Sequence, residues 1–341
     1  MIRTIAAPVC PVCGQPGAPL HGELRDALFA APGTWSLRRC EERQCGTAWL
    51  DPRPVAEDLG EAYTAYYTHA TAAARSPGWR KRAFLAARRG YLAHRFGYRA
   101  GEVGWAERAL GHLLVLFPDL RARIDLEAFH LPVRPGGRFL EIGCGAGDHL
   151  AAMVELGWDA QGIDVDPAAV ATARSRSLHV TCGEVGDAGF AAHSFDAIGL
   201  SHVIEHVDDP LRLLRVCRSL LRPDGSLVLV TPNTDSFGHA RYGRAWLSLD
   251  PPRHLRLFTP AGLDRLVRAA GFARTVVTTG VRDAHNTYLA SRSIQRCGRW
   301  TWGDRGRARD RLASRLLHAR ARWHLRAHPG AGEEIILVAS G

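Results

Sequence analysis

The stretch Arg138-Phe139-Leu140-Glu141-Ile142-Gly143-Cys144-Gly145-Ala146-Gly147 decides how this chain folds. A short, mostly apolar strand runs directly into a turn with glycine at every second position. Glycine accepts the backbone angles of such a turn and lets a ligand approach the chain and meet the N–H groups of the next helix. That helix is predicted over His149 to Leu156. A second strand, Asp159 to Ile163, ends on Asp164, 23 residues after Glu141. A carboxylate there can accept hydrogen bonds from both hydroxyls of a ribose. The turn reads G-x-G-x-G rather than the G-x-G-x-x-G fitted to a pyrophosphate, and no phosphate-binding lysine accompanies it. A nucleoside cofactor is therefore expected.

Outward from this turn, strands are predicted at His179–Thr181, Phe195–Leu200, Ser226–Val230, Arg274–Thr279 and Glu334–Val338, with a helix from Pro210 to Leu221. Strands alternating with helices make a parallel, doubly wound sheet. Toward the N-terminus, Cys10-x2-Cys13 and Cys40-x4-Cys45 are separated by 26 residues, and Gly14 and Gly46 follow the second cysteine of each pair. Such pairs suit a closed structural zinc site, the glycines turning the backbone so that N–H groups aim at sulfur. His21 and His69 are possible substitutes for a cysteine. Asp51-Pro52-Arg53-Pro54 ends this module, because two prolines so spaced suit neither helix nor central strand. Residues 55–130 read as helices: Leu59, Tyr63, Tyr66 and Tyr67 recur at helical spacing, the basic run Arg75 to Arg99 follows, and a second apolar group spans Trp105 to Leu120. Three regions result, 1–54, 55–132 (a helical cap) and 133–341, the last with an Arg-rich insertion at about 282–330.

Composition bounds the function. The 341 residues carry 44 Lys+Arg against 34 Asp+Glu, a net charge of +10, and 46% are hydrophobic, which excludes wholesale disorder. No apolar run approaches the roughly 18 residues of a membrane span. The first residues contain no apolar signal core, so a cytoplasmic location with reduced cysteines is expected. The positive charge is local. Residues 75–99 hold eight basic and no acidic residues, and residues 282–328 hold 12 Arg and 3 Asp, while the rest is mildly acidic. Lys81 is the single lysine, which points to a coding bias more than to phosphate binding.

The motifs Glu141 to Gly147, Gly162-Ile163-Asp164-Val165-Asp166-Pro167 and Phe195-Asp196-Ala197-Ile198 resemble those of class I S-adenosylmethionine (SAM)-dependent methyltransferases. His202-Val203-Ile204-Glu205-His206-Val207 and Leu221-Arg222-Pro223-Asp224-Gly225-Ser226 resemble the subgroup that includes ubiquinone O-methyltransferases. Trp246, Pro251-Pro252-Arg253-His254-Leu255 and Phe258-Thr259-Pro260 are similar to bacterial members bearing an N-terminal zinc-ribbon-like module. The resemblance implies a Rossmann-like sheet of about seven strands with an antiparallel last strand. It also implies roles. Gly143, Cys144, Gly145 and Gly147 would line the amino-acid and ribose part of SAM, with Glu141 beneath the turn. Asp164 would bind the ribose hydroxyls, Val165 would stack on adenine, and Glu184 would accept from the adenine amine, a place for which Asp187 competes. Ser201 and His202 would lie near the methyl end. Cys10, Cys13, Cys40 and Cys45 would hold Zn2+.

A sulfonium needs only a nucleophile held in line, so positioning and desolvation carry much of the catalysis, with a base to take the nucleophile's proton. Candidate bases are His202, Glu205, His206 and His254. His202, Glu205 and His206 also spell the H-x-x-E-H of one metalloprotease class, but that motif works inside a helix and here it follows a strand. The expected acceptor is a small molecule: Tyr63, Tyr66, Tyr67, Trp246, His254 and the Arg segments suggest a mixed aromatic and cationic pocket wall, which fits an anionic metabolite, a nucleotide sugar or a glycan-like envelope precursor equally well. The alternative is a nucleic-acid (RNA) methyltransferase or binder that docks through the zinc module and Arg segments. Leu200-Ser201-His202, in place of a motif that holds a flipped base, makes nucleic acid the less favoured partner.

Overall fold

The computed structural model describes residues 2–63, 79–99 and 101–341; Tyr66, Tyr67, His69 and Arg75 lie outside them. The chain begins with β1 (Thr4–Ile5), β2 (Gly17–Leu24), β3 (Trp35–Cys40), β4 (Ala48–Leu50) and β5 (Arg53–Pro54), then α1 (Trp79–Phe96), α2 (Trp105–Leu113) and α3 (Pro118–Glu127). The alternating part runs β6 (Arg138–Ile142), α4 (Asp148–Glu155), β7 (Asp159–Asp164), α5 (Pro167–Ser175), β8 (Val180–Cys182), β9 (Phe195–Ser201), α6 (Pro210–Leu220) and β10 (Leu221–Pro232). It continues with α7 (Phe237–Tyr242), β11 (Arg256–Leu257), α8 (Pro260–Ala269), β12 (Arg274–Gly280), α9 (Ala284–Cys297), α10 (Ala308–Ala327) and β13 (Glu334–Ser340).

Seven strands form one sheet in the order β12-β13-β10-β9-β6-β7-β8. β6 pairs in parallel with β7 and β9, β7 in parallel with β8, and β13 runs antiparallel to β12. This is the expected doubly wound sheet. Because β7 and β8 lie on one side of β6 and β9 on the other, strand order reverses at β6, where such sheets bind ligands. The segment 51–54, expected to be neither helix nor central strand, does contribute a short ladder. Arg53–Pro54 pairs antiparallel with Thr4–Ile5, two residues at an edge, where proline is tolerated.

By compactness the chain divides into two units. One comprises Tyr67–Leu200 and Ser219–Val228; the other comprises Met1–Tyr66, Ser201–Arg218 and Leu229–Gly341. The boundaries read from the sequence, near 54 and 132, do not coincide with this division.

In the first unit, β6 and β9 are buried almost throughout, which explains their continuous apolar runs. Gly199 in β9 admits no side chain: a Cβ there would lie 2.6 Å from the Phe129 ring, so the space is filled by Phe129 and Phe139. α1 and α2 meet backbone to backbone, since a Cβ on Gly90 would fall 1.8 Å from the Glu107 carbonyl oxygen and one on Gly111 2.4 Å from the Tyr91 nitrogen.

In the second unit the cysteine module does not close on itself. Its sheet has the order β11-β4-β3-β2, and β11 reaches it from about two hundred residues downstream, with Arg256 opposite Trp49 and Leu257 opposite Ala48. The Arg-rich insertion is also built in. α9 and α10 contribute Tyr288 and Ala321 to the core that contains Trp35, Leu37, Trp246 and Leu257.

Arg253 holds this unit at one buried point. Its guanidinium meets both Asp26 carboxylate oxygens at 2.8 Å, bonds Asp250, and lies 4.7 Å from the Phe29 ring centre. Removing one member of a buried ion pair strands the others, so Arg253→Ala is expected to cost about 3–5 kcal/mol in urea unfolding. Burial alone would raise the Asp26 pKa, but Arg253 and the Ala31 and Leu28 N–H groups outweigh it and leave the value depressed. A depressed carboxylate contributes stability that is present above the ordinary carboxylate range and lost as pH falls through the folded value. Wild type should therefore lose stability with acid more steeply than Arg253→Ala. Parallel acid titrations of the two proteins would contradict this.

Candidate functional site

The glycine turn is shaped by its backbone. Gly143, Gly145 and Gly147 have φ of +70°, +52° and +83°, angles that side chains rarely adopt. Asp164, at the end of β7, ties the turn down. One carboxylate oxygen accepts from the Gly145 N–H at 2.7 Å, and the other accepts from the Asp166 N–H at 2.9 Å. A carboxylate oxygen has two acceptor positions, so each keeps one for a hydroxyl. A Cβ at Gly145 would find no atom within 4 Å, so a ligand can lie directly against this backbone.

Glu141 sits beneath the turn, 2% exposed, and burial pushes its pKa up against the pull of His149. Its Oε1 is 3.5 Å from His149 Nδ1, while Oε2 is buried without a partner. Such an orphaned acceptor suits a ligand donor. Val165 follows Asp164 and is 68% exposed, a free apolar surface suited to a purine face. Glu184 and Asp187 are both exposed in the turn after β8. Cys144 faces inward with its side chain. Its thiol is buried, and a Cβ on Gly162 would come within 2.7 Å of its sulfur, so only its backbone is available to a ligand. The donors and acceptors of the turn thus fit the nucleoside of SAM.

The candidate bases cluster after β9. His202 is the first residue past the strand and takes φ +56°, a strained angle for a non-glycine residue of the kind found at functional sites. Its Nε2 is 3.0 Å from Glu334, itself paired with Arg282, and its Nδ1 is 3.4 Å from Glu205. Burial opposes the charge, but the two carboxylates outweigh it and raise His202 to about 10. Residues 204–206 form a turn and not a helix, which removes the basis of the metalloprotease pattern.

Glu205 is fully buried, with Oε2 accepting from Thr231 at 2.9 Å and Oε1 lacking a hydrogen bond. Burial would raise its pKa, yet His202 and the neighbouring imidazoles hold it down near 2. His206 Nδ1 lies 3.0 Å from the Arg253 carbonyl and 2.9 Å from Tyr63 Oη; His254 Nδ1 lies 2.8 Å from the Ser248 carbonyl. A carbonyl oxygen can only accept, so both Nδ1 atoms carry a proton, and in the neutral ring the lone pair is then on Nε2. Burial first, and then the His254 ring 4.6 Å away, push His206 down to about 4. Glu205, His206 and His254 offer ligand atoms within 4.8 Å of one another, close enough to share a metal ion. The partners Thr231, Arg282, Glu334 and Tyr63 carry no local sequence signal, because each arrives from a distant element.

The four N-terminal cysteines converge as well. Their sulfurs all lie within 4.8 Å of one another, with Cys10 3.6 Å from Cys45 and Cys13 3.3 Å from Cys40. Zinc–sulfur bonds of about 2.3 Å in a tetrahedron put sulfurs about 3.8 Å apart, so the donor set fits zinc. Gly14 and Gly46 turn the chain with φ of +74° and +58°, but their own N–H groups bond to the carbonyls of Cys10 and Glu42. The N–H groups aimed at sulfur belong to Val12 and Cys13 for Cys10, Glu42 for Cys40, and Thr47 for Cys45. His21 is elsewhere, 2.9 Å from His239.

These features define a doubly wound α/β protein with a nucleoside-binding turn. A family model described as a methyltransferase domain matches residues 115–277. Over 162 residues the chain is 36% identical to a ubiquinone biosynthesis O-methyltransferase of Xanthomonas axonopodis pv. citri, covering 43% of this chain and 68% of that one. It is 40% identical over 118 residues to a ubiquinone biosynthesis O-methyltransferase of Xanthomonas campestris pv. campestris, 33% of this chain and 49% of the other. The chain therefore spans about half the length of that relative. A crystal structure of a SAM-dependent methyltransferase from Archaeoglobus fulgidus aligns over 66% of this chain and 93% of its own, at 18% identity and a TM-score of 0.45. The chain belongs to the class I SAM-dependent methyltransferase family, as its motifs led one to expect. Both the cysteine module and the Arg-rich helices lie outside the residues matched by the family model.

Proposed function

We propose that the chain transfers a methyl group from SAM to an oxygen of a small-molecule acceptor in the biosynthesis of a secondary metabolite, sugar or cell-envelope component. The observation that carries this reading is Asp164, whose two oxygens each hold one backbone N–H of the turn region and keep acceptor capacity for a ribose. SAM supplies an electrophilic methyl group on a cationic sulfur. Asp164 takes the ribose hydroxyls, Val165 covers the adenine, Glu184 meets its amine, and Glu141 Oε2, beneath the turn, accepts from a donor of the ligand. Gly143, Gly145 and Gly147 admit the ligand to the backbone.

His202, held as an imidazolium by its two carboxylates, has no lone pair to offer. The acceptor's proton goes instead to an Nε2 of the His206–His254 pair, and the Glu205 carboxylate beside them stabilises the charge that forms. General bases contribute about 10²–10⁴ in rate. His206→Gln and His254→Gln should accordingly lower kcat within that range while SAM affinity stays unchanged. Wild-type turnover in both variants would remove the base from this pair.

For the acceptor, the same unit contains a cleft of about 570 Å³, of the size that takes a small ligand. Arg25, Arg244, Leu24, Tyr242, Leu247 and Asp250 are among its walls, and Asp250 also lies 3.9 Å from His254. Arg25 and Arg244 share these walls with the carboxylates Glu23 and Asp250 among apolar residues, a lining that suits a small acceptor with both polar and apolar parts. The Cys10, Cys13, Cys40 and Cys45 cluster holds a structural Zn2+ ion in the same proposal. The whole reading is tested by titrating the purified chain with SAM in a calorimeter: one site per chain is expected, and a protein that ignores SAM refutes it.

A further inference from the structure

α10 turns its inner face to the core of its unit and leaves a different face to solvent. Asp310, Ser314, His318 and Ala321 are buried along the inner side. Asp310 pairs with Arg292 at 2.8 Å and with Arg296 at 2.9 Å from α9, and the His318 ring stacks on His285. These contacts fasten the helix without using its outer side.

On that outer side Leu312, Leu316 and Trp323 are 60%, 64% and 71% exposed. At 100° per residue they fall within an arc of about 40° and form a line about 16 Å long. Arg309 and Arg320 flank the line on one edge, Arg315 and Arg326 on the other, and all four are exposed. Among the described residues, Arg315, Arg320 and Arg326 have no hydrogen-bond or ion-pair partner. Asp310, the only acidic residue of the helix, faces inward. An apolar line between two arginine rows, free of exposed carboxylates, costs solvation and contributes nothing to the core.

We propose that the outer face of α10 docks the protein on an anionic phospholipid surface. A bilayer interface matches both halves of the pattern at once. Leu312, Leu316 and Trp323 enter the boundary between headgroups and acyl chains, and the arginines extend sideways to lipid phosphates. The charge pattern argues against other occupants. A duplex would satisfy the arginines but set the Leu and Trp side chains against sugar and phosphate. A second copy of the helix would bring arginine rows together with no carboxylate to pair them. The proposal uses none of the methyltransferase motifs, so it stands or falls apart from the catalytic reading.

The test is co-sedimentation of the full chain with vesicles of phosphatidylcholine alone and of phosphatidylcholine with phosphatidylglycerol. Binding is expected to the anionic vesicles and to weaken with salt. Each of Arg315→Gln, Arg320→Gln and Arg326→Gln should lower partitioning about fivefold, and the triple variant about a hundredfold. Leu316→Glu and Trp323→Glu should abolish it. Melting temperatures should be unchanged, because these side chains lie outside the core; a variant that melts early is replaced by Leu316→Ser or Trp323→Ser. Failure of the wild type to bind anionic vesicles overturns the proposal. So does full binding by the variants, retention of RNA or DNA that the same substitutions remove, or a wild-type dimer in ultracentrifugation that Leu316→Glu dissociates.

Discussion

Asp164→Ala abolishes measurable SAM binding in calorimetry while the protein still unfolds cooperatively; that is the largest functional loss expected here. Hydrogen bonds to a charged acceptor are worth about 1.5–3 kcal/mol each, so two lost ribose bonds amount to about 3–6 kcal/mol, or roughly a hundredfold to ten-thousandfold in affinity. A second effect adds to the first. Asp164 also accepts from the Gly145 and Asp166 N–H groups, so its removal frees the turn that should meet the ligand. Asp164→Asn separates the two contributions, since an amide oxygen can keep one backbone bond but cannot accept from two hydroxyls as a carboxylate does. An alanine variant that binds SAM like wild type would place the cofactor elsewhere.

Metal loss is expected to be the largest effect on stability. Structural zinc contributes about 10–16 kcal/mol in small zinc modules, as much as the entire stability of a typical domain. Metal analysis should find one zinc per chain. Chelation, or Cys45→Ser, should lower the melting temperature by more than Arg253→Ala does. The damage should not stay local: β11 pairs with β4, and the Thr259 hydroxyl donates to the Cys45 carbonyl, so the cysteine loops are tied to the later residues of their unit. Loss of protection from hydrogen exchange is therefore expected at Arg256 and Leu257 as well as near Cys10. A metal-free protein of full stability would disprove the assignment.

The cofactor turn was legible because its chemistry is local. Glycines at 143, 145 and 147 and the carboxylate at 164 belong to two neighbouring strands with one crossover, and their spacing already states what the backbone does. The cysteine cluster was legible for a related reason, since thiols at C-x2-C and C-x4-C spacing can meet only around something small. What spacing misjudged was which N–H groups serve the sulfurs. The glycines make the turn, and their neighbours then donate.

The base is the opposite case. His202, Glu205, His206 and His254 were visible as titratable residues in a suggestive order, but their roles are set by partners far along the chain. Glu334 arrives 132 residues after His202 and, together with Glu205, favours its charged form. Tyr63 arrives 143 residues before His206, and the backbone of Arg253 and Ser248 sets which imidazole nitrogens keep a lone pair. The same distance problem hid the attachment of β11 to the cysteine sheet. Likewise, α10 could be read as an Arg-rich helix, whereas which of its faces reaches solvent depended on where Asp310 found Arg292 and Arg296. By itself, then, the sequence determined the doubly wound sheet, the nucleoside turn and the thiol set, because periodicity and short-range spacing act within one or two elements. Tertiary structure alone decided protonation, the seat of the cysteine module and the exposed face of α10, because those depend on long-range pairing that no local pattern encodes.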